Sequence, residues 1–257
     1  HEFPVNIHRG LYPLSVQASV AYEQARARVA SFLSTKEDRI VFTSGATGSI
    51  NMFARMMEPR IAKGDRIVVS IFDHHSNLLP WRELAQRTGA ELVFIPLESG
   101  GTHTQQEIEQ TITPGVKIVA IPMIANATGT LLPYKDMIVR AQTVGSVTLL
   151  DAAQYVAHAP TDVTALGCDA LVFSGHKVYG PTGIGILYLK NPEQWSPTVF
   201  GGGIVDQVTE HETLYSSAPT VFEAGTPHIA GAIGLGKALV WLQEFGWDKV
   251  QAHRKKY

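Results

Sequence analysis

The sequence predicts an α/β protein built on one parallel-type sheet, and three observations lead there. Apolar runs of strand length recur near residues 41, 68, 94, 119, 149, 172 and 187. Segments of helical spacing lie between most of them, the alternation that crossover helices produce. Several runs stop on a polar or small-residue cluster, and an open α/β sheet gathers its ligands at the carboxyl ends of strands. With 257 residues and 45% hydrophobic content, the chain can bury the core of one large domain.

The first helix is expected from Ser15, whose hydroxyl would cap it, with Tyr22, Ala25, Val29 and Phe32 or Leu33 recurring inward. A strand at 40–43 runs through Ser44-Gly45-Ala46-Thr47-Gly48 into a helix with Ile50, Phe53, Ala54 and Met57 on one face. Residues 66–70 read as strand, 91–97 as strand, 105–112 as helix, 117–123 as strand, 134–144 as helix and 147–151 as strand. Two more strands, 170–174 and 184–189, flank a polar turn and a Gly/Pro/Thr loop. Residues 201–222 have little periodicity and are expected to form a functional or mobile loop. Ile229, Ile233, Leu235, Leu239 and Leu242 then mark a long helix. Its segment from Gly231 to Ala238 imitates a nucleotide-binding P-loop, but Ala238 replaces the required hydroxyl and no strand precedes Gly231. Small residues there are expected to let helices approach closely.

A net charge of −2 with scattered basic residues points to neither nucleic acid nor a membrane surface as partner. No apolar run approaches the ~20 residues of a membrane helix, and the opening residues lack a signal-peptide layout. Cys168 is the single cysteine, so no intrachain disulfide exists and a reducing, cytoplasmic location is expected. It is expected to be a small buried thiol rather than a nucleophile. The adjacent His74 and His75 lack the helical spacing of a zinc pair, and no metal site is expected.

Two strand ends carry the chemistry. Lys177 follows the strand at 170–174, between two buried strands, where desolvation would lower its pKa and free the amine for Schiff-base formation. A snorkelling lysine at a strand end fits that stretch equally well. Asp151 ends the preceding strand, and a carboxylate there can keep a pyridinium nitrogen protonated. The turn at 44–48 presents backbone N–H groups and a helix N-terminus, which can cradle a phosphate, though small-residue turns also occur without ligands.

In these segments the sequence resembles the fold-type I pyridoxal-phosphate enzymes of the class V aminotransferase group, most of all the Suf-type (group II) cysteine desulfurases. The resemblance is carried by His8-Arg9-Gly10, His74-His75-Ser76-Asn77, Asn126-Ala127-Thr128-Gly129-Thr130, Asp151 with Gln154, Ser174-Gly175-His176-Lys177-Val178-Tyr179-Gly180-Pro181-Thr182-Gly183 and Phe222-Glu223-Ala224-Gly225-Thr226-Pro227. It implies that residues 1–257 form the cofactor-binding large domain of a fold-type I transferase, a mixed, mostly parallel seven-stranded sheet between helices. Residues 185–189 would be its one antiparallel strand and 228–257 the linking helix. The N-terminal segment and the C-terminal small domain of the family would lie outside this sequence.

The resemblance also implies a cofactor, pyridoxal 5′-phosphate, and roles. Lys177 would carry the Schiff base and shuttle protons, and Asp151 would hold the ring nitrogen. Thr47, Ser174 and His176 would anchor the phosphate. Ala46 stands where the family usually has a threonine, so one phosphate bond is either missing or made by backbone alone. Gln154 and Asn126 would meet the phenolic oxygen, Asn126 also the substrate carboxylate, and His74 would stack on the ring. Thr226 would reach the phosphate of a neighbouring subunit, implying a homodimer, while His8 and Arg9 would bind substrate at the active-site mouth. The implied activity is removal of sulfur from L-cysteine to give L-alanine and a persulfide for iron–sulfur cluster assembly or another transfer pathway, with a possible sulfur-acceptor protein. The reactive cysteine and the carboxylate-binding arginine of the family belong to its C-terminal part. Another class V activity (selenocysteine lyase, epimerase or aminotransferase), or a cofactor-binding module without turnover, is the alternative.

Overall fold

The structure is a computed structural model and describes residue 7, residues 12–97 and residues 101–254. His8 and Arg9 lie outside the described residues. The elements that build the sheet are β1 (Ile40–Thr43), β2 (Arg66–Ser70), β3 (Glu91–Ile95), β4 (Val116–Pro122), β5 (Val147–Asp151), β6 (Ala170–Ser174) and β7 (Gly185–Leu189). Their order is β1-β7-β6-β5-β4-β2-β3. Neighbours pair in parallel except at β7, which runs antiparallel to both β1 and β6. All seven strands fall where the sequence places them; six are buried along most of their length and so are written as near-continuous apolar runs, while in the edge strand β3 only Ile95 is buried.

The two faces of the sheet explain the two halves of the core. Alternate residues such as Val119, Ile121, Leu171, Phe173 and Ile186 point one way, against α1 (Pro13–Phe32), α4 (Gln105–Thr111), α5 (Tyr134–Thr143) and α7 (Ile229–Phe245). Ile67, Val69, Ile118, Ala120, Leu149 and Val172 point the other way, toward α2 (Ala46–Met57) and α3 (His75–Thr88). A short helix, α6 (Val163–Leu166), precedes β6. On α7 the small-residue stripe does allow close approach: a Cβ on Gly236 would stand 3.0 Å from Ala25 of α1.

Three local expectations are corrected. The first helix starts at Pro13, not Ser15, and has no side-chain cap; proline is preorganised for the first helical position, so the helix begins earlier and Ser15 is buried inside it. Residues 201–222 are not one long loop. They hold an antiparallel hairpin, β8 (Val205–Val208) with β9 (Thr213–Tyr215), whose mostly exposed strands bury no face and so leave no alternating pattern to read. The helix expected over 228–257 is, among the described residues, two helices: α7 stops at Gly246, whose φ of +90° ends the helical path, and α8 (Trp247–Arg254) follows. No helix of the described residues is long and apolar enough to cross a membrane.

Candidate active site

Because β1, β2, β4, β5 and β6 all point their carboxyl ends to one edge, the loops that follow them converge there. They line a cavity of about 240 Å³ bounded by Ala46, Thr47, His74, Ser76, Pro122, Ile124, Asn126, Asp151, Ala153, Gln154, Ser174, His176 and Lys177. Of the cofactor-binding candidates only Thr226 stands away from it, exposed after the hairpin.

The turn between β1 and α2 is pressed into place by backbone contact. A Cβ on Gly185 would come within 2.4 Å of the Gly45 Cα, so only glycine lets β7 pass that turn. The Ser174 Oγ accepts the Ala46 N–H at 2.8 Å. Ala46 therefore has no backbone donor to spare for a ligand. That leaves the Thr47 and Gly48 N–H groups, which face no internal acceptor among the described residues, the Thr47 side chain and the Ser174 O–H. Helix N-terminal N–H groups and hydroxyls that face a cavity suit an anion.

His74 caps α3. Its Nδ1 accepts the Ser76 N–H at 3.1 Å and lies 2.8 Å from the Ser76 hydroxyl, so the neutral ring carries its proton on Nε2. Just before it, Asp73 accepts the Ser70 N–H and the Asn77 amide, both at 2.7 Å. Desolvation pushes the Asp73 carboxyl well above the ordinary range and the nearby Asp151 charge adds to that, against those two hydrogen bonds.

Asp151 is the last residue of β5, 6% exposed, and among the described residues its carboxylate accepts one hydrogen bond, from the Ala153 N–H at 2.9 Å. Burial raises its pKa; that hydrogen bond and the charges of His74 and Lys177 act in the other direction. Such a group is an acceptor short of donors, facing the cavity.

Lys177 is not in the dry setting that its flanking strands suggest. Both strands are buried throughout, but Lys177 ends a 3₁₀ turn (Gly175–Lys177) beyond β6 and its side chain is exposed. The turn lifts the amine out of the sheet into the mouth of the cavity, so the desolvated group of the pair is the acid. Gly175 makes that turn possible: a Cβ there would lie 2.7 Å from the Ile184 Cγ2 and 2.8 Å from the Pro181 carbonyl. Ser76, Pro122, Ile124 and Ala153 line the cavity without having been singled out. Ser76, Ile124 and Ala153 each stand within two residues of one that was, and Pro122 closes β4; proximity and a strand end were the available signals.

Cys168 is fully buried, and burial pushes its thiol up to about 12. Among the described residues no three His, Cys, Asp or Glu side chains form a metal-holding group.

Against known proteins, the whole chain, residues 1–257, matches the model of the family described as aminotransferase class-V. The chain belongs to that family. It is 41% identical over 252 residues to a probable cysteine desulfurase of Halalkalibacterium halodurans, covering 96% of this chain and 62% of that protein. Among solved structures, it is similar to the apo cysteine desulfurase of Thermococcus onnurineus, with a TM-score of 0.91 and 36% identity over 95% of this chain and 62% of that one. The Escherichia coli cysteine desulfurase CsdA matches with a TM-score of 0.86 and 41% identity, over 93% and 61%. The chain thus spans a little under two thirds of the length of these relatives.

The class V enzymes use pyridoxal 5′-phosphate, and this cavity fits it. It offers anion donors on α2 and Ser174, a primary amine on Lys177, and a buried carboxylate that accepts a single backbone N–H. A phosphate, an aldehyde and a basic ring nitrogen are the complements of those three.

Proposed function

We propose that the protein to which this chain belongs is a cysteine desulfurase, taking sulfur from L-cysteine and leaving L-alanine. One observation carries the reading: Lys177 and Asp151 line the same cavity as the N-terminal turn of α2. In this reading Thr47, Ser174 and His176 hold the phosphate of pyridoxal 5′-phosphate, Gln154 and Asn126 its phenolic oxygen, and His74 its ring face. When bound, the cofactor supplies an electron sink that makes the substrate's α-carbon acidic.

The side chains of this chain do the rest. Asp151 holds a proton at the ring nitrogen; burial alone favours the neutral acid, so a basic nitrogen that takes up that proton turns an ill-solvated group into an ion pair. Lys177, exposed in the cavity mouth, is placed to remove a proton at the substrate α-carbon and return one as product forms. Asn126, an uncharged donor, orients the substrate carboxylate together with His8 and Arg9. Cys168 is no sulfur acceptor, being buried and held protonated, so the accepting thiol comes from outside these 257 residues. Thr226, exposed and away from its own cavity, is free to complete the phosphate site of a second subunit in a homodimer. A cytoplasmic setting, in which a sulfur-acceptor protein can be served, completes the reading.

The test is product formation. The full-length protein, loaded with pyridoxal 5′-phosphate and given L-cysteine, yields equal amounts of alanine and sulfide in the presence of a thiol reductant, and Lys177→Ala abolishes both. Cofactor binding without either product would count against desulfurase activity.

A further inference from the structure

A buried hydrogen-bond chain behind the cavity ties the His74 loop to a remote part of the fold. Ser70 ends β2 and is 1% exposed; His103, between β3 and α4, is 3% exposed. The His103 Nδ1 lies 2.8 Å from the Pro96 carbonyl, which can only accept, so Nδ1 bears the proton. In the neutral ring, which burial favours, Nε2 is then an acceptor 2.7 Å from the Ser70 Oγ, so Ser70 donates. The same Oγ accepts the Phe72 N–H at 3.1 Å. Direction is thereby fixed from end to end: Phe72 N–H to Ser70, Ser70 O–H to His103, His103 N–H to Pro96. The Phe72 and His103 rings also meet edge to face at 5.3 Å. Ser70 further donates its own N–H to Asp73, which binds Asn77, which in turn accepts the Trp81 indole N–H at 3.0 Å.

We propose that His103 is a positioning residue: through Ser70 it fixes the segment Phe72-Asp73-His74 and so sets where the His74 ring stands in the cavity. His103 is not among the residues that line the cavity. An apolar residue of similar size would fill its space but leave the Ser70 hydroxyl proton without an acceptor, and a buried unpaired donor is what such a segment rearranges to relieve. The inference rests on the proposed function only for what His74 does; the brace itself belongs to the chain with or without cofactor.

The test uses the full-length protein in both states. In wild type without cofactor, nitrogen-15 spectra should show His103 with its proton on Nδ1 and a hydrogen-bonded Nε2. His103→Leu and Ser70→Ala should each speed amide exchange at Phe72 and Asp73 by about tenfold, leaving β4 and β5 unchanged. With cofactor, both should alter its visible circular dichroism, and His103→Gln, which keeps one donor and one acceptor, should restore the signal in part. A His103 proton on Nε2, or unchanged exchange at Phe72 and Asp73 in both variants, overturns the proposal. Should either variant fail to fold, the wild-type tautomer decides. A protein that binds no cofactor would defeat the functional reading while tautomer and exchange still judge this one.

Discussion

Two of the deeply placed carboxylates, Glu223 and Asp151, are built in opposite ways. Glu223, after the hairpin, accepts from Arg26 through two guanidinium nitrogens at 2.7 and 2.9 Å, from the Tyr22 hydroxyl at 2.9 Å and from the Phe42 N–H at 2.7 Å. Burial works against the Arg26 charge, but its bonds to Glu223 outweigh that and hold its pKa above the ordinary value. Asp151 is as deeply placed yet accepts a single backbone N–H, and burial leaves it raised. A carboxylate with every lone pair engaged is a clamp, here joining α1, β1 and the segment before α7. One left short of donors in a cavity is a receptor for a ligand that brings one.

The largest expected effect tests the clamp. Glu223→Ala leaves Arg26 charged, 3% exposed and without its main partner, and should cost about 3–5 kcal/mol in denaturant unfolding. Replacing Arg26 and Glu223 together by apolar residues should recover most of that loss; if the double replacement is as damaging as the single one, the clamp account is wrong. The receptor should behave in the reverse manner. Asp151→Asn should raise the stability of the cofactor-free protein by about 1 kcal/mol, since an ill-solvated acid is removed, while weakening cofactor binding at least about tenfold.

A pH series sharpens the contrast. Because burial raises the folded-state pKa of Asp151 and of Asp73, the folded chain binds more protons than the unfolded one above the ordinary carboxyl value of about 4. Their contribution is therefore fully present below that pH and is lost as pH rises through the raised folded-state values. Asp151→Asn should flatten that decline, as measured by unfolding of the cofactor-free protein across acid pH. The smallest effect concerns Cys168: thiol reagents at neutral pH should label it only on unfolding, whereas rapid labelling of the native chain would contradict its burial.

The contrast also shows what a sequence discloses. Sheet order apart, every strand of the main sheet could be placed, since burial on both faces forces apolar residues into six of the runs and the edge strand β3 still carries Leu92-Val93-Phe94-Ile95. Part of the cavity lining was legible for a related reason: the 44–48 turn, Asp151 and Lys177 stand where apolar runs stop, and strand ends gather ligands, whereas His74, Asn126, Gln154 and His176 were named from the family resemblance alone. Exposure was not legible. Two buried strands say nothing about which way the turn between them points, so a desolvated and an exposed Lys177 stood equally open; the side chain is exposed, and the desolvation fell on Asp151. Nor was the clamp read, although Arg26 stands between Tyr22 and Val29 on the inward stripe of α1, a charge in an apolar phase that demands a partner. The Ser70–His103 brace left still less trace, since its two residues lie 33 positions apart and neither breaks a pattern.

The central claim is that one cavity joins the Lys177 amine to the Asp151 acid around a single cofactor. Borohydride trapping of the protein incubated with pyridoxal 5′-phosphate, followed by peptide mapping, tests it most directly. The cofactor should be found on Lys177 alone, in smaller yield in Asp151→Asn and absent in Lys177→Ala; a label on another lysine, or equal labelling of Lys177→Ala, would contradict the account.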